Sequence, residues 1–485
     1  MADNRYDVVI LGGGPAGERA AVQAARAGKS VALIERQNVV GGTCVNWGTI
    51  PSKTLRESAI HVWTLRNRKI EGIRSEITDR ITMAAFMHRE RIVVQRELEL
   101  INRTLVKYAI SLFHGHGSFV DPHTISIASR TGSKRLRIHG DVVVIATGSS
   151  PNRPPDIDFN GETIFDSDTI LHLSQVPESM IVLGAGVIGI EYAAIFAALG
   201  IQVTLVNTRD QMLPYLDREI AALLERDLKK LGIVLLQADR YDRIEIPESP
   251  RRVVRCRTRG GNMLEAGILL YCVGRDGNTA RLGLDRIGIR PDTRGLLAVN
   301  EFYQTAIPHI YAVGDVIGYP ALASTSAEQG RQAIRHAFDI PGPKGRTEML
   351  PFAIYAIPEI SYIGKTEQEL QAAGVDYVAG YGRYEMNPRG QILDDTDGLL
   401  KLLFETDSLT LLGVHVIGTN ASELVHIGQA FLKCPSDAWQ IAETLYNYPT
   451  LSDLYRHAAL EAITAAKRRR GTIKRPRAGS PASKS

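Results

Sequence analysis

YDVVILGGGPAGERAAVQAARAGKSVALIE, residues 6–35, reads as strand, glycine turn, helix, strand. An apolar β-branched run (6–11) gives way to Gly12-Gly13-Gly14-Pro15-Ala16-Gly17, an alanine-rich helical stretch follows, and a second apolar run closes on Glu35. Each glycine of the turn has a mechanical task. Gly12 makes the tight turn, Gly14 lets the backbone approach a pyrophosphate, and Gly17 lets the helix pack closely on the strand, so that phosphates meet the helix N-terminus. Glu35 then stands where a carboxylate accepts hydrogen bonds from a ribose hydroxyl.

One such match is weak, since a chain with 44 glycines in 485 residues meets three fixed glycines by chance roughly half a time. Here the pattern recurs. MIVLGAGVIGIEYAAIFAALGIQVTLV (180–206) repeats strand, Gly184-Ala185-Gly186-Val187-Ile188-Gly189, helix and strand, and the spacing agrees: Gly12 to Glu35 and Gly184 to Asn207 are each 23 residues. The expected fold is therefore α/β with two Rossmann-like dinucleotide-binding units, the first for FAD and the second for NAD(P). The residue that ends each register differs, Glu35 against Asn207, which is followed by Thr208 and Arg209. A carboxylate repels a 2′-phosphate, whereas neutral Asn207 tolerates either nucleotide and Arg209 can pair with the phosphate of NADP(H). The plain alternative for Arg209 is a solvated surface charge.

The composition, 44% hydrophobic and 23% charged, is that of a folded globular protein, and the length suits about three domains. The apolar runs are far shorter than the roughly 20 residues a membrane-spanning helix needs. The N-terminus enters a strand directly, without the basic segment and apolar core of a secretion signal, so a cytoplasmic location is expected. Cys44, Cys256, Cys272 and Cys434 are too irregularly spaced for a metal cluster or a disulfide framework, and no metal is expected. The net charge of +4 comes from the C-terminus: residues 467–485 hold eight Lys/Arg and no acid, leaving 49 basic against 53 acidic residues elsewhere. This Gly/Pro/Ser-rich tail reads as disordered, either a solubilising extension or an arm for nucleic acid or an anionic surface.

Two further stretches, VVVIATGSSP (142–151) and TAIPHIYAVGDVIGYPALASTSAEQG (305–330), make the chain resemble the FAD-dependent pyridine nucleotide-disulfide oxidoreductases, the family of lipoamide dehydrogenase and glutathione reductase. The resemblance runs from Asp7 to about Ala466. It implies an FAD domain in two parts (1–149 and 273–345), an NAD(P) domain (150–272), an α+β dimerisation domain (346–466) and a homodimer or larger homo-oligomer. It implies FAD contacts from Gly12, Gly14, Pro15, Gly17, Glu35, Arg36, Gly42, Thr43, Lys53, Thr147, Gly148, Gly314, Asp315 and Ala323. Asp315 would bond the ribityl chain. NAD(P) contacts would come from Gly184, Gly186, Gly189, Asn207, Arg209 and Gly274. Lys53 and Glu191 resemble the family's ion pair beside the flavin, where a structural salt bridge is the alternative reading. His426 reads as an interface or core histidine.

The sequence departs from the family's dithiol enzymes at two linked places. GGTCVNWGTIPSK (41–53) resembles their redox-disulfide helix, but only Cys44 is present; the second position is Thr49. Disulfide exchange needs two sulfurs, and Cys44 alone reads more readily as a packed small residue than as a nucleophile. In the C-terminal motif, the imidazole that serves as base toward the thiol is replaced by Tyr448 in YPTLSD (448–453), whose phenol, with a pKa near 10, is a poor base at neutral pH. What remains is flavin and nicotinamide chemistry. The expected activity is reversible hydride exchange between NADPH and NAD⁺ through FAD, with a diaphorase, quinone reductase or oxidase as the alternative. A lipoamide dehydrogenase-like enzyme and a non-catalytic flavoprotein scaffold rank below these.

Overall fold

The computed structural model describes residues 4–67, 81–129, 135–248, 252–345 and 349–471. They divide into two compact units: Met1–Thr208 with Asp239–Glu348, and Arg209–Ala238 with Met349–Ser485.

In the first unit the quoted stretch forms the strand Arg5–Leu11, the helix Pro15–Arg26 and the strand Val31–Glu35. The two strands run parallel, with Val8 opposite Val31 and Leu11 opposite Ile34. Ser111–His114 and Arg135–Ile145 extend the sheet on either side, also in parallel. Val8, Val9 and Ile10 are fully buried, as expected of a parallel strand covered on both faces. The strand Ile310–Ala312, from far later in the chain, pairs with Val143, Val144 and Ile145 and thereby brings the segment of Asp315 to the glycine turn. The helix that follows, Ala323–Ala337, crosses Pro15–Arg26 closely: a Cβ on Gly330 would lie 2.2 Å from the carbonyl oxygen of Ala16.

A second parallel sheet in this unit has the order Gln202–Val206, Ser179–Leu183, Ile268–Tyr271, Ile164–Asp166. Its helix, Val187–Ala198, is buried almost all round, which explains why IEYAAIFAA carries no polar face. The two glycine turns are near copies. Gly12 and Gly184 have φ of +109° and +102°, Gly14 and Gly186 cap their helices in extended conformation, and a Cβ on Gly17 or Gly189 would lie 1.9 Å from the oxygen of Gly12 or Gly184.

The second unit holds an antiparallel sheet in the order Phe352–Ile354, Ile360–Gly364, Leu411–Ile417, Leu399–Glu405, Tyr377–Arg383. The helix Leu454–Arg469 lies on its last strand, where Gly380 and Gly382 leave room for the backbone at Ala458 and Leu454. Residues 209–238 group with this unit, within which Asp217 and Glu219 bind Lys401.

No described helix is long and apolar enough to cross a membrane. The segment read as a disordered tail from Lys467 is ordered at its start. Lys467, Arg468 and Arg469 complete the last helix, held by Lys467 over the Trp439 ring, an ion pair of Arg469 with Asp376 at 2.7 Å, and hydrogen bonds from Arg470 to the carbonyls of Thr406 and Asp407. These contacts anchor side chains that the sequence shows only as a charge run. The rest of the tail, 472–485, lies outside the described residues.

Candidate functional site

The first glycine turn is closed by the residue that ends its register. Glu35 is buried and its carboxylate accepts hydrogen bonds from the Gly13 and Gln37 N–H groups, each at 2.8 Å. Opposite the turn, Gly42 meets Gly14 backbone to backbone: a Cβ on Gly42 would stand 2.8 Å from the Gly14 Cα. Pro15 opens the helix and Gly12 leads into it, so bare N–H groups and the positive end of the helix dipole face one strip of unencumbered backbone. Thr43 and Cys44 follow on the short helix Gly42–Asn46, and Arg36 is exposed just past the strand.

A second wall comes from the segments that the sheet brings in. Asp315 accepts a hydrogen bond from Ser149 Oγ at 2.9 Å, and Gly314, at φ +78°, donates its N–H to Gln329 Oε1 at 2.8 Å. Ala323 begins the helix behind it. Gly148, at φ +68°, bends the chain beside Thr147. The Oγ atoms of Thr147 and Ser326 are buried with no hydrogen-bond partner among the described residues. Buried hydroxyls are seldom left so, and both lie in the region walled by Gly12 and Gly314. Glycine cradle, dipole, acidic Asp315 and two waiting hydroxyls together fit FAD.

Several residues that hold this wall escaped the sequence reading. Arg275 donates to Ser149 through Nε to Oγ (2.8 Å) and through Nη2 to the carbonyl (2.9 Å). Asn278 donates through Nδ2 to the Thr147 carbonyl at 3.0 Å and accepts from Ser150 Oγ at 2.8 Å. Their signal was VGRDGNT (273–279), which leaves a buried strand as ATGSSP does. The strands Ser149–Pro151 and Arg275–Gly277 pair antiparallel, and Gly274, at φ +88°, starts that crossing.

Lys53 and Glu191 meet as the resemblance implies. Their Nζ and Oε2 atoms are 2.7 Å apart, with side-chain exposures of 25% and 5%. Lys53 comes from the helix Thr49–Asn67 and Glu191 from the second glycine-turn helix, so the pair joins the two dinucleotide units. In the second glycine turn Gly184, Gly186 and Gly189 are placed as in the first. Asn207 is buried and its carbonyl accepts the Asp239 N–H at 2.9 Å. Arg209 lies beyond that strand, its carbonyl bonded to the Ala238 N–H at 2.8 Å.

Burial pushes the Cys44 thiol above its usual range although Thr49 and Lys53 pull the other way. Thr49 opens the helix Thr49–Asn67 with a hydroxyl where the dithiol enzymes carry their second sulfur. A raised thiol pKa leaves little thiolate at neutral pH. Iodoacetamide at pH 7.5 is therefore expected to label exposed Cys434 first and Cys44 at least about tenfold more slowly, the Cys44 rate climbing only as the pH passes 9; peptide mass mapping reads both, and rapid labelling of Cys44 at neutral pH would refute this assignment.

Tyr448 is 75% exposed. Asp453, at the place of the carboxylate that orients the imidazole in the dithiol enzymes, instead contacts Arg456 at 3.2 Å and His457 at 3.4 Å. His426 is exposed, bonded to Gln429 at 2.9 Å, which removes it from the core.

Residues 6–330 match the family model described as pyridine nucleotide-disulphide oxidoreductase, and residues 350–459 match the dimerisation domain of that family. The chain belongs to this family of oxidoreductases. Among curated relatives, it is 43% identical over 458 residues to the soluble pyridine nucleotide transhydrogenase of Mycobacterium bovis, covering 94% of this chain and 97% of that one. It is 41% identical over 468 residues to the protein of the same name from Chromohalobacter salexigens, covering 96% and 99%. Of solved structures, LpdA from Mycobacterium tuberculosis superposes with a TM-score of 0.87 at 28% identity, covering 94% of this chain and 99% of that one. The HOCl-induced flavoprotein disulfide reductase RclA from Escherichia coli gives 0.84 at 26%, with the same coverage.

Proposed function

We propose that this protein is an FAD-dependent NAD(P)⁺ transhydrogenase that moves hydride reversibly between NADPH and NAD⁺, without a redox disulfide. The observation that carries the reading is Thr49, which gives Cys44 no second sulfur to pair with, between two intact dinucleotide turns. The relatives named soluble pyridine nucleotide transhydrogenase support it.

When bound, FAD supplies a centre that accepts a hydride from one nicotinamide and yields it to another. The chain holds and aligns. The first turn, Glu35 and the wall of Thr147, Gly148, Gly314, Asp315 and Ser326 hold the flavin nucleotide, with Arg36, Gly42, Thr43 and Ala323 around it. Gly184, Gly186, Gly189, Asn207, Arg209 and Gly274 hold the nicotinamide nucleotide. Lys53, fixed by Glu191, orients the reacting ring, and alignment of this kind is worth several orders of magnitude in rate. The exchange NADPH + NAD⁺ → NADP⁺ + NADH releases no proton, so a histidine base has no task and Tyr448 can stand in its place. Donor and acceptor use one position in turn, which predicts ping-pong kinetics.

The reaction needs both nucleotide pools, which supports a cytoplasmic location. Leu445, Tyr448, Met386 and Ile392 are largely exposed in the region matching the dimerisation domain, and apolar side chains in such number support burial in a homodimer.

Anaerobic addition of NADPH to the yellow protein, followed by NAD⁺, tests the reading. Bleaching of the flavin band and its recovery with one NADH formed per flavin is expected. Bleaching that recovers only with quinone or oxygen would instead establish a diaphorase or oxidase.

A further inference from the structure

A transhydrogenase must admit, at one position, two nucleotides that differ only in a 2′-phosphate. Asn207 occupies the register of Glu35 without its charge, and its carbonyl is tied to the Asp239 N–H at 2.9 Å. Arg240 is therefore one residue, a Cα step of about 3.8 Å, from that tie. The carbonyl of Arg240 in turn accepts the Arg259 N–H at 2.9 Å, which sets the backbones of the two arginines side by side, Arg240 one residue from the Asn207 tie.

No neighbouring acid neutralises them. The Asp239 carboxylate is buried and turned to other partners, accepting from the N–H groups of Arg240 (2.8 Å) and Gly260 (2.9 Å) and from Asn262 Nδ2 (3.0 Å). It fixes the turn that carries the arginines. On the same strands Arg243 pairs with Glu245 at 2.6 Å and Arg255 with Glu265 at 2.7 Å. Arg240 and Arg259 are exposed and form no ion pair among the described residues. A guanidinium grips a phosphate with two parallel hydrogen bonds, whereas a ribose hydroxyl offers neither charge nor a second acceptor.

Resting on the transhydrogenase reading above, we propose that Arg240 and Arg259 form a receptor for the 2′-phosphate of NADP(H), from a segment remote in sequence from the glycine turn and from Arg209. NAD(H) then binds through the turn and Asn207 without them.

Calorimetric titration of the FAD-loaded full chain with 2′,5′-ADP, and separately with 5′-AMP, tests this. R240A and R259A are each expected to weaken 2′,5′-ADP roughly ten- to a hundredfold, and to leave 5′-AMP within about twofold. The affinity for 2′,5′-ADP should also become less sensitive to salt in both variants. Unchanged 2′,5′-ADP affinity, or an equal loss for both ligands, overturns the proposal. Because binding involves no turnover, a protein that keeps this selectivity yet fails to pass hydride from NADPH to NAD⁺ would sink the transhydrogenase reading alone.

Discussion

Replacing Lys401 with methionine is expected to destabilise the C-terminal unit by about 3–5 kcal/mol, the cost of breaking a buried ion pair. Lys401 has no exposed side-chain surface. Its ammonium lies 2.9 Å from Asp217, itself fully buried, 3.0 Å from Glu219 and 2.7 Å from Glu367. Methionine fills the volume but leaves Asp217 charged without a cation. The double variant D217N/K401M should recover much of the loss, since it removes both charges. Thermal unfolding followed by circular dichroism measures each step, and a K401M variant as stable as the parent would show the cluster to be energetically idle.

The same cluster has a pH signature. Lys401 is held above the usual lysine range by its carboxylates, so its contribution is complete below the unfolded lysine pKa and is lost only in strong alkali. Asp217 is held below its usual range by His415 and Lys401 against the opposing effect of burial. Its contribution is present above the unfolded carboxylate pKa and disappears as acid forces it to protonate. Stability from Lys401 and Asp217 is thus expected to fall below about pH 4, while His415, held below its usual range by burial, adds a loss that begins as the pH drops through about 6.5.

Gly17→Ala and Gly189→Ala should separate the two nucleotide sites. In each turn the new methyl would sit 1.9 Å from a backbone oxygen, that of Gly12 or Gly184, so helix and strand must part. Gly17→Ala is expected to yield colourless protein. Gly189→Ala should keep its flavin but be reduced by NADPH at least about a hundredfold more slowly, the scale of loss for a misplacement near 1 Å. Flavin absorbance per polypeptide and stopped-flow reduction decide both. If Gly189→Ala were reduced at the parent rate, the second turn would not be the nicotinamide nucleotide site.

The parts of this protein legible in the sequence are those set by local rules. A glycine with φ near +100°, a second under a pyrophosphate and a third against a strand are demands of backbone geometry. Both turns met them with nearly the same φ at the first glycine and the same clearance at the third, because both repeat the same spacing. The missing sulfur at Thr49 was equally legible, since a dithiol needs two cysteines and residue identity alone shows only one there. By contrast, Ser149, Arg275, Asn278 and Gln329 came from three segments whose polar side chains match no short pattern. His426, read as an interface or core residue, lies outside the core of its own chain: a histidine at helical spacing does not declare which face is covered.

The sequence by itself determined the α/β fold, the two dinucleotide turns and the absence of a dithiol, because strand runs, glycine positions and residue chemistry act over a few neighbours. Tertiary structure alone decided which distant groups meet. It joined Lys53 to Glu191, placed Lys401 among three carboxylates, and set the backbones of Arg240 and Arg259 side by side, Arg240 one residue from the tie to Asn207. Charges on exposed and buried lysines look alike in a sequence, and only the folded backbone fixes which of them lose water and must find a partner.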